Sequence, residues 1–238
     1  MAAPTASGAA PTAAVVTDIE GTTSAISFVK DTLFPFAEAA LDGFLEAQGS
    51  RPELAAILEE VRRLAPDEAP RDALHRWMAE DAKVTPLKAI QGMIWRQGFE
   101  DGRLRGHLYP DVAPSLRAWA RGGLRLCVYS SGSAEAQELL FGYSVAGDLR
   151  PLFTRFFDTR IGTKREAGSY RTIAAGLHLP AAEILFLSDI AAELDAAAAA
   201  GLRTCQLLRP ADGTQPSGRH PEAADFPAVA ARFSLPRV

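Results

Sequence analysis

The run Val15-Val16-Thr17-Asp18-Ile19-Glu20-Gly21-Thr22 carries two carboxylates, Asp18 and Glu20, to a Gly-Thr turn. Side chains two residues apart on a strand point to the same face, so both acids leave the strand end together. Like charges held that close repel, and they are costly to desolvate unless a cation joins them. A divalent metal is the natural third party, and a carboxylate presented this way can also act as a nucleophile. Taken alone, the eight residues read equally well as a strand closing in polar turn residues.

The other strand ends add to the pair. One β-rich run closes in Ser130-Ser131-Gly132-Ser133 and another in Ser188-Asp189, while Lys164 follows Gly162-Thr163 and begins a helical pattern. In a parallel sheet all carboxyl ends share one edge, where these groups can converge. Asp18 and Asp189 suit Mg²⁺, the hydroxyls and the lysine suit a phosphate, and Asp18 is placed to attack phosphorus in line. Simpler roles stand beside these. Ser130, Ser131 and Asp189 also read as helix N-caps, and Lys164 as a solvated lysine. Capping and phosphate binding coincide at a helix N-terminus, so the serines can do both.

Apolar, β-rich runs at 14–19, 124–130, 183–189 and 203–208, with a shorter one at 155–158, have the continuous apolarity of strands buried on both faces. Helical patterns at 111–121, 133–142, 165–177 and 190–200 alternate with them, the last leading to Gly201 as a C-cap. This alternation predicts an α/β fold, a doubly wound parallel sheet. From Phe28 to Asp101 the rhythm breaks into helical patterns at 28–47, 52–65, 70–82 and 86–100, with Thr85 as N-cap and Pro86 at N1 of the last. A block inserted after the first strand sits over the carboxyl edge, where it serves as a water-excluding cap or as an accessory packing domain. The expected division is a disordered lead at 1–13, an α/β core at 14–25 and 106–238, and an all-helical cap at 26–105. Lys88, Gln91 and Trp95 share one face of the last cap helix, where substrate contact competes with plain packing. Pro210 to Gly218 reads as a surface loop.

With 238 residues, 47% hydrophobic and 23% charged, the chain buries a sizeable core without staples. A net charge of −4 and scattered basic residues argue against nucleic-acid binding, and no stretch has the length of a membrane span. Cys127 and Cys205 lie in apolar strand patterns and are expected as buried free thiols. The Ala/Pro/Thr-rich start lacks the basic and apolar segments of a signal peptide, which points to a cytoplasmic enzyme. The four histidines show no ligand spacing.

From about residue 14 to 235 the chain resembles the haloacid dehalogenase-like phosphohydrolases, and within them the enolase-phosphatases of methionine salvage. Four motifs carry the resemblance in order: Asp18-Ile19-Glu20-Gly21-Thr22-Thr23; Tyr129-Ser130-Ser131-Gly132-Ser133-Ala134-Glu135-Ala136-Gln137, continuing to Leu140-Phe141-Gly142; Phe157-Asp158-Thr159-Arg160-Ile161-Gly162-Thr163-Lys164; and Ile184-Leu185-Phe186-Leu187-Ser188-Asp189. Gln91-Gly92-Met93-Ile94-Trp95-Arg96 and Leu108-Tyr109-Pro110-Asp111-Val112 fit as well. Most of the superfamily has aspartate where Glu20 stands, and the glutamate is characteristic of enolase-phosphatases.

The resemblance implies a Rossmann-like core with a helical cap and one Mg²⁺ per chain, held by Asp18, Glu20 and Asp189. Asp18 is the implied nucleophile, and Glu20 the implied general acid and base, with its carbonyl toward the metal. Ser130, Ser131 and Lys164 are implied to bind substrate phosphate. Glu193 is a candidate support one turn beyond Asp189, although the residue itself reads as a solvated helix position. Ser188 departs from the two adjacent acids many relatives carry, which shifts metal coordination toward water. The implied reaction enolises 2,3-diketo-5-methylthiopentyl-1-phosphate and hydrolyses its phosphate to give an acireductone. The implied partner is this small phosphorylated diketone, with no nucleic acid and no membrane, and the chain is expected to be a monomer. A capped phosphatase of another small ester, or a receiver-like module switched by aspartyl phosphorylation, are the alternatives. The insertion and Glu20 argue against the receiver.

Overall fold

A computed structural model describes residues 11–49 and 51–238. The expected disordered lead falls mostly outside the described residues. At its end, Ala13 donates to the Glu183 carbonyl at 2.8 Å and accepts from Arg125 N at 3.0 Å, already in line with the sheet.

Among the described residues, six parallel strands form one sheet in the order β3-β2-β1-β4-β5-β6. They are β1 (Ala14–Thr17), β2 (Arg125–Tyr129), β3 (Phe153–Phe157), β4 (Ile184–Ser188), β5 (Arg203–Leu207) and β6 (Glu222–Ala223). The unbroken apolar runs are explained by two faces, each with its own partners. Val15, Leu126, Val128, Leu185 and Leu187 pack on one side with Leu116 and Trp119 of α6 (Val112–Arg121), Leu139 to Phe141 of α7 (Ala134–Gly142), and Phe226 and Val229 of α10 (Phe226–Phe233). Val16, Cys127, Tyr129, Ile184 and Phe186 pack on the other with Tyr170 and Ile173 of α8 (Ala167–Leu177) and Leu194 of α9 (Ala191–Ala199). Each such side chain contributes about 1.5–3 kcal/mol on burial. Cys127 and Cys205 are both free and buried, on opposite faces of the sheet.

Between β1 and α6 the chain is helical: α1 (Ile26–Phe28), a π-helical turn (Val29–Leu33), α2 (Phe34–Gln48), α3 (Pro52–Leu64), α4 (Pro70–Ala79) and α5 (Thr85–Glu100). These helices enclose a separate apolar cluster that includes Leu41, Leu54, Val61, Leu74, Trp77, Leu87, Ile90 and Ile94. The expected 28–47 helix therefore contains a π turn, and the Trp95 indole donates to the carbonyl of Leu33 in that turn at 2.8 Å. Thr85 is not the N-cap of α5. It is already helical, Val84 takes the cap position in extended conformation, and no side chain caps the helix. No described helix is long and apolar enough to cross a membrane.

Candidate active site

All the predicted strand ends meet at the carboxyl edge. Asp18 leaves β1 buried, with its N–H donating to the Leu187 carbonyl of β4 at 2.9 Å. The next residues fold back at once: the N–H groups of Thr22, Thr23 and Ser24 all aim at the Ile19 carbonyl, and Gly21 N donates to Ser24 O. Gly21 holds a φ of +69°, and a Cβ there would lie 2.5 Å from Oδ2 of Asp189. Only glycine lets the turn approach that carboxylate so closely.

Lys164 is buried and bridges two acids, with Nζ 2.6 Å from Asp18 Oδ1 and 2.6 Å from Glu193 Oε2. Burial alone would lower its pKa, but the charges of Asp18 and Glu193 outweigh burial and raise it. Lys164 does not begin α8. It lies in a turn before the helix, because Gly162 at φ +125° redirects the chain and Ser169 Oγ donates to the Thr163 carbonyl at 2.7 Å. The Tyr170 hydroxyl reaches back from α8 to the Lys164 carbonyl at 2.7 Å and fixes the stem.

Asp189 is not a helix cap either, since Ile190 takes that position for α9. Its N–H donates to Thr22 Oγ1 at 3.0 Å, and its carbonyl accepts from Gln206 Nε2 at 2.9 Å. The same Gln206 ties down the predicted surface loop, donating to Gln215 O and accepting from Ser217 N. Asp189 Oδ1 is buried with no hydrogen-bond partner, and burial, followed by the Asp18 charge, pushes this carboxyl up to about 7. An orphaned carboxylate oxygen near the Asp18 charge fits a cation ligand. No three His, Cys, Asp or Glu side chains among the described residues form a complete cage. The donor set that fits a hard cation is therefore Asp18 and Asp189 completed by main-chain carbonyl and water. Glu20 is half-buried, and its pKa is raised by burial and then by Asp18, against the lowering pull of Lys164 and of Lys83 from the α4–α5 connection.

On the opposite wall, Ser130 is buried and its Oγ accepts from Gly132 N at 3.2 Å, whereas Ser131 is exposed. Neither serine caps α7. Ser133 does, accepting from Ala136 N at 3.2 Å, and Asp158 accepts from Ala134 N at 3.1 Å. Gln137 braces the loop from below, donating to the carbonyls of Gly132 and Phe157, each at 2.8 Å. Ser130 and Ser131 are thus left at the mouth of a helix N-terminus, where anions bind.

Known proteins are similar to this chain in sequence and fold. A family model described as haloacid dehalogenase-like hydrolase matches residues 12–201. The chain is 57% identical to Enolase-phosphatase E1 of Granulibacter bethesdensis, covering 95% of this chain and 98% of that one. It is 54% identical to Enolase-phosphatase E1 of Pectobacterium carotovorum, over 91% of this chain and 96% of the relative. The chain belongs to the enolase-phosphatase E1 family. The crystal structure of UTR4 protein from Saccharomyces cerevisiae superposes with a TM-score of 0.78 at 32% identity, covering 90% of this chain and 98% of that one. CbbY from Rhodobacter sphaeroides, at 20% identity and a TM-score of 0.61 over 94% of this chain and all of its own, shares the fold.

As an enolase-phosphatase, the chain is a phosphoric-monoester hydrolase, the activity called acireductone synthase, acting on a small phosphorylated substrate. Within this enolase-phosphatase one residue stands corrected. Glu193 is buried rather than solvated, and it accepts from Ser188 Oγ at 2.9 Å as well as from Lys164. Burial raises its pKa first, with Asp18 adding to the effect. Its place one turn into α9 was the available signal. The Ala-rich helix around it has no apolar stripe to show which face is inward. Of the three cap-helix residues, Gln91 is buried, Lys88 is exposed, and the Trp95 N–H is committed to the Leu33 carbonyl.

Proposed function

We propose that this acireductone synthase turns over 2,3-diketo-5-methylthiopentyl-1-phosphate in methionine salvage with Asp18 and Glu20 dividing the chemistry. The observation that carries the reading is the Lys164 ammonium between Asp18 and Glu193, beside the unpartnered oxygen of Asp189. The ammonium pairs with Asp18 at 2.6 Å, and the same cation is in place to bind phosphate oxygens.

In the first half-reaction Glu20 removes a proton from the carbon bearing the phosphate, next to a carbonyl. The electron pair becomes the enol double bond, the carbonyl oxygen takes up a proton from solvent, and Glu20 keeps the proton it removed. In the second, Asp18 bonds to phosphorus as the bond to the substrate oxygen breaks, and Glu20 returns a proton to that oxygen. Water, deprotonated by Glu20, then attacks the aspartyl-phosphate and frees Asp18 and inorganic phosphate. Ser130, Ser131 and the N–H groups ahead of α7 hold the phosphate oxygens. Asp18, Asp189 and the Glu20 carbonyl would hold one Mg²⁺ per chain, which would supply Lewis-acid stabilisation of enolate and phosphoryl charge. Residues 26–105 form the cap that keeps water from the enol, and the chain works as a cytoplasmic monomer.

The test follows enediol absorbance and free phosphate together, with the diketo phosphate and Mg²⁺. An enol intermediate that precedes phosphate release is expected. Phosphate release without acireductone would leave a phosphatase and remove the enolase half. Glu20→Asp shortens the carboxylate by one methylene and is expected to slow both steps. Unchanged rates for both would take Glu20 out of the acid–base role.

A further inference from the structure

Behind the metal site one side chain joins four separate parts of the chain. Arg209 follows β5 and is 6% exposed. Its Nε and Nη2 donate to the Thr22 carbonyl at 3.3 and 3.0 Å. Nη1 and Nη2 each donate to one oxygen of Asp111 at 2.9 Å, and Nη1 also reaches the Ala224 carbonyl at 3.3 Å. All five N–H groups of the guanidinium are thereby used. Its plane also covers the Tyr109 ring, 4.1 Å from the centroid. Asp111 is held in turn by Phe226 N at 2.9 Å.

The Thr22 end of this network faces the site. Thr22 lies in the Gly21 turn that presses on the Asp189 carboxylate, and Thr22 Oγ1 accepts the Asp189 N–H. The hydrogen bonds therefore run from Arg209 to the Thr22 main chain, and from the Thr22 side chain to the Asp189 main chain. A lysine keeps the charge toward Asp111 but has no planar fork to hold a carboxylate and a carbonyl on adjacent edges.

We propose that Arg209 is a positioning residue of the metal site, which sets the Thr22 turn and through it the aim of the Asp189 carboxylate. The proposal rests on the reading that Asp18 and Asp189 hold a divalent cation. Neither Arg209 nor Asp111 touches the reacting groups, so the effect must appear in cation affinity and not only in stability.

The experiment uses the full chain with Mn²⁺ alone as the probe, its binding read by electron paramagnetic resonance, and metal-free unfolding followed in parallel. Arg209→Lys is expected to weaken Mn²⁺ binding by about 10–100-fold, the range found when partners of metal ligands are removed. Thr22→Val removes the acceptor for Asp189 N–H and is expected to weaken binding similarly. The double variant is expected to bind no worse than the weaker single variant, because both changes cut the same connection. Mn²⁺ affinity within twofold of the parent in Arg209→Lys, together with a lowered melting temperature, would make Arg209 a stabilising residue only and overturn the proposal. Losses that multiply in the double variant would overturn the route through Thr22. If Arg209→Lys does not fold, Asp111→Asn, which keeps the arginine, carries the test: weakened Mn²⁺ binding supports the proposal and unchanged binding overturns it. Asp189→Asn separates the two readings. Unchanged Mn²⁺ binding there would defeat the metal site itself, whereas loss of binding there with normal binding in Arg209→Lys defeats only the role of Arg209.

Discussion

The carboxyl edge of the sheet and the helical block above it handle charge in opposite ways. At the edge, Asp18, Lys164, Asp189 and Glu193 are all buried, and the cation is shared between two acids. In the helical block the charges stay on the surface, in pairs such as Arg62–Glu59 and Arg76–Glu80 three or four residues apart, while the interior is apolar. Surface pairs of this kind contribute little because water screens them, so apolar burial holds those helices together. Buried charges at the edge are costly, and the chain offsets the cost by setting Lys164 between Asp18 and Glu193. The contrast predicts that changes at the edge disturb charge balance and, on the proposed function, activity, whereas changes in the helical block disturb packing.

The largest expected effect is at Asp18. Asp18→Asn should lower phosphate release by about 10³-fold or more, as loss of a nucleophile does, while enol formation continues. A coupled absorbance and phosphate assay separates the two, and release within tenfold of the parent would remove the nucleophile from the edge. Next is Lys164→Met, which leaves two buried acids without their counter-ion. It should cost about 3 kcal/mol or more in urea denaturation at neutral pH. Unchanged stability would mean that water, not protein, balances those charges.

A third test uses pH. The Asp189 carboxyl is pushed up from 3.8 to about 7 in the folded chain. The folded protein therefore binds a proton that the unfolded chain has released between those values, and metal-free stability from this group falls as pH rises through that window. A divalent cation competes with the same proton, so the rise in melting temperature on adding Mg²⁺ should grow from pH 5 to pH 8. A flat response by calorimetry would exclude Asp189 as the titrating ligand. The smallest effect belongs to the helical block. Trp95→Phe loses the N–H to Leu33 O, about 1 kcal/mol and about 2–4 °C in melting temperature, with kcat/KM unchanged within about twofold. A tenfold loss of kcat/KM would show that Trp95 does touch substrate.

The sheet and the site were legible in the sequence for the same reason. Strands buried on both faces leave continuous apolar runs, and three of them run straight into the polar residues proposed for the site, Asp18, Ser130 and Asp189. Strand β3 was faint because Thr154 and Arg155 are exposed on the edge of the sheet. Strand β6 has only two residues and exists by pairing with β5, so its sequence carries no strand pattern of its own. Glu193 is placed one turn beyond Asp189 by its spacing, but its burial is not readable from the sequence, because its partners, Lys164 and Ser188, come from other elements. Arg209 gave no sign at all, since an isolated arginine after a strand looks the same whether it meets water or Asp111. The π turn was hidden too, because its released carbonyl is satisfied by an indole 62 positions away.

Cys127 and Cys205 give the sheet a built-in clock. Burial pushes both thiols up to about 12, so neither forms a reactive thiolate at neutral pH while the strands stay paired. The two sulfurs face opposite layers, and an oxidant cannot join them across an intact sheet. Labelling by a thiol reagent therefore times how often the centre of the molecule opens, and the two layers can be timed separately by leaving one cysteine in place at a time.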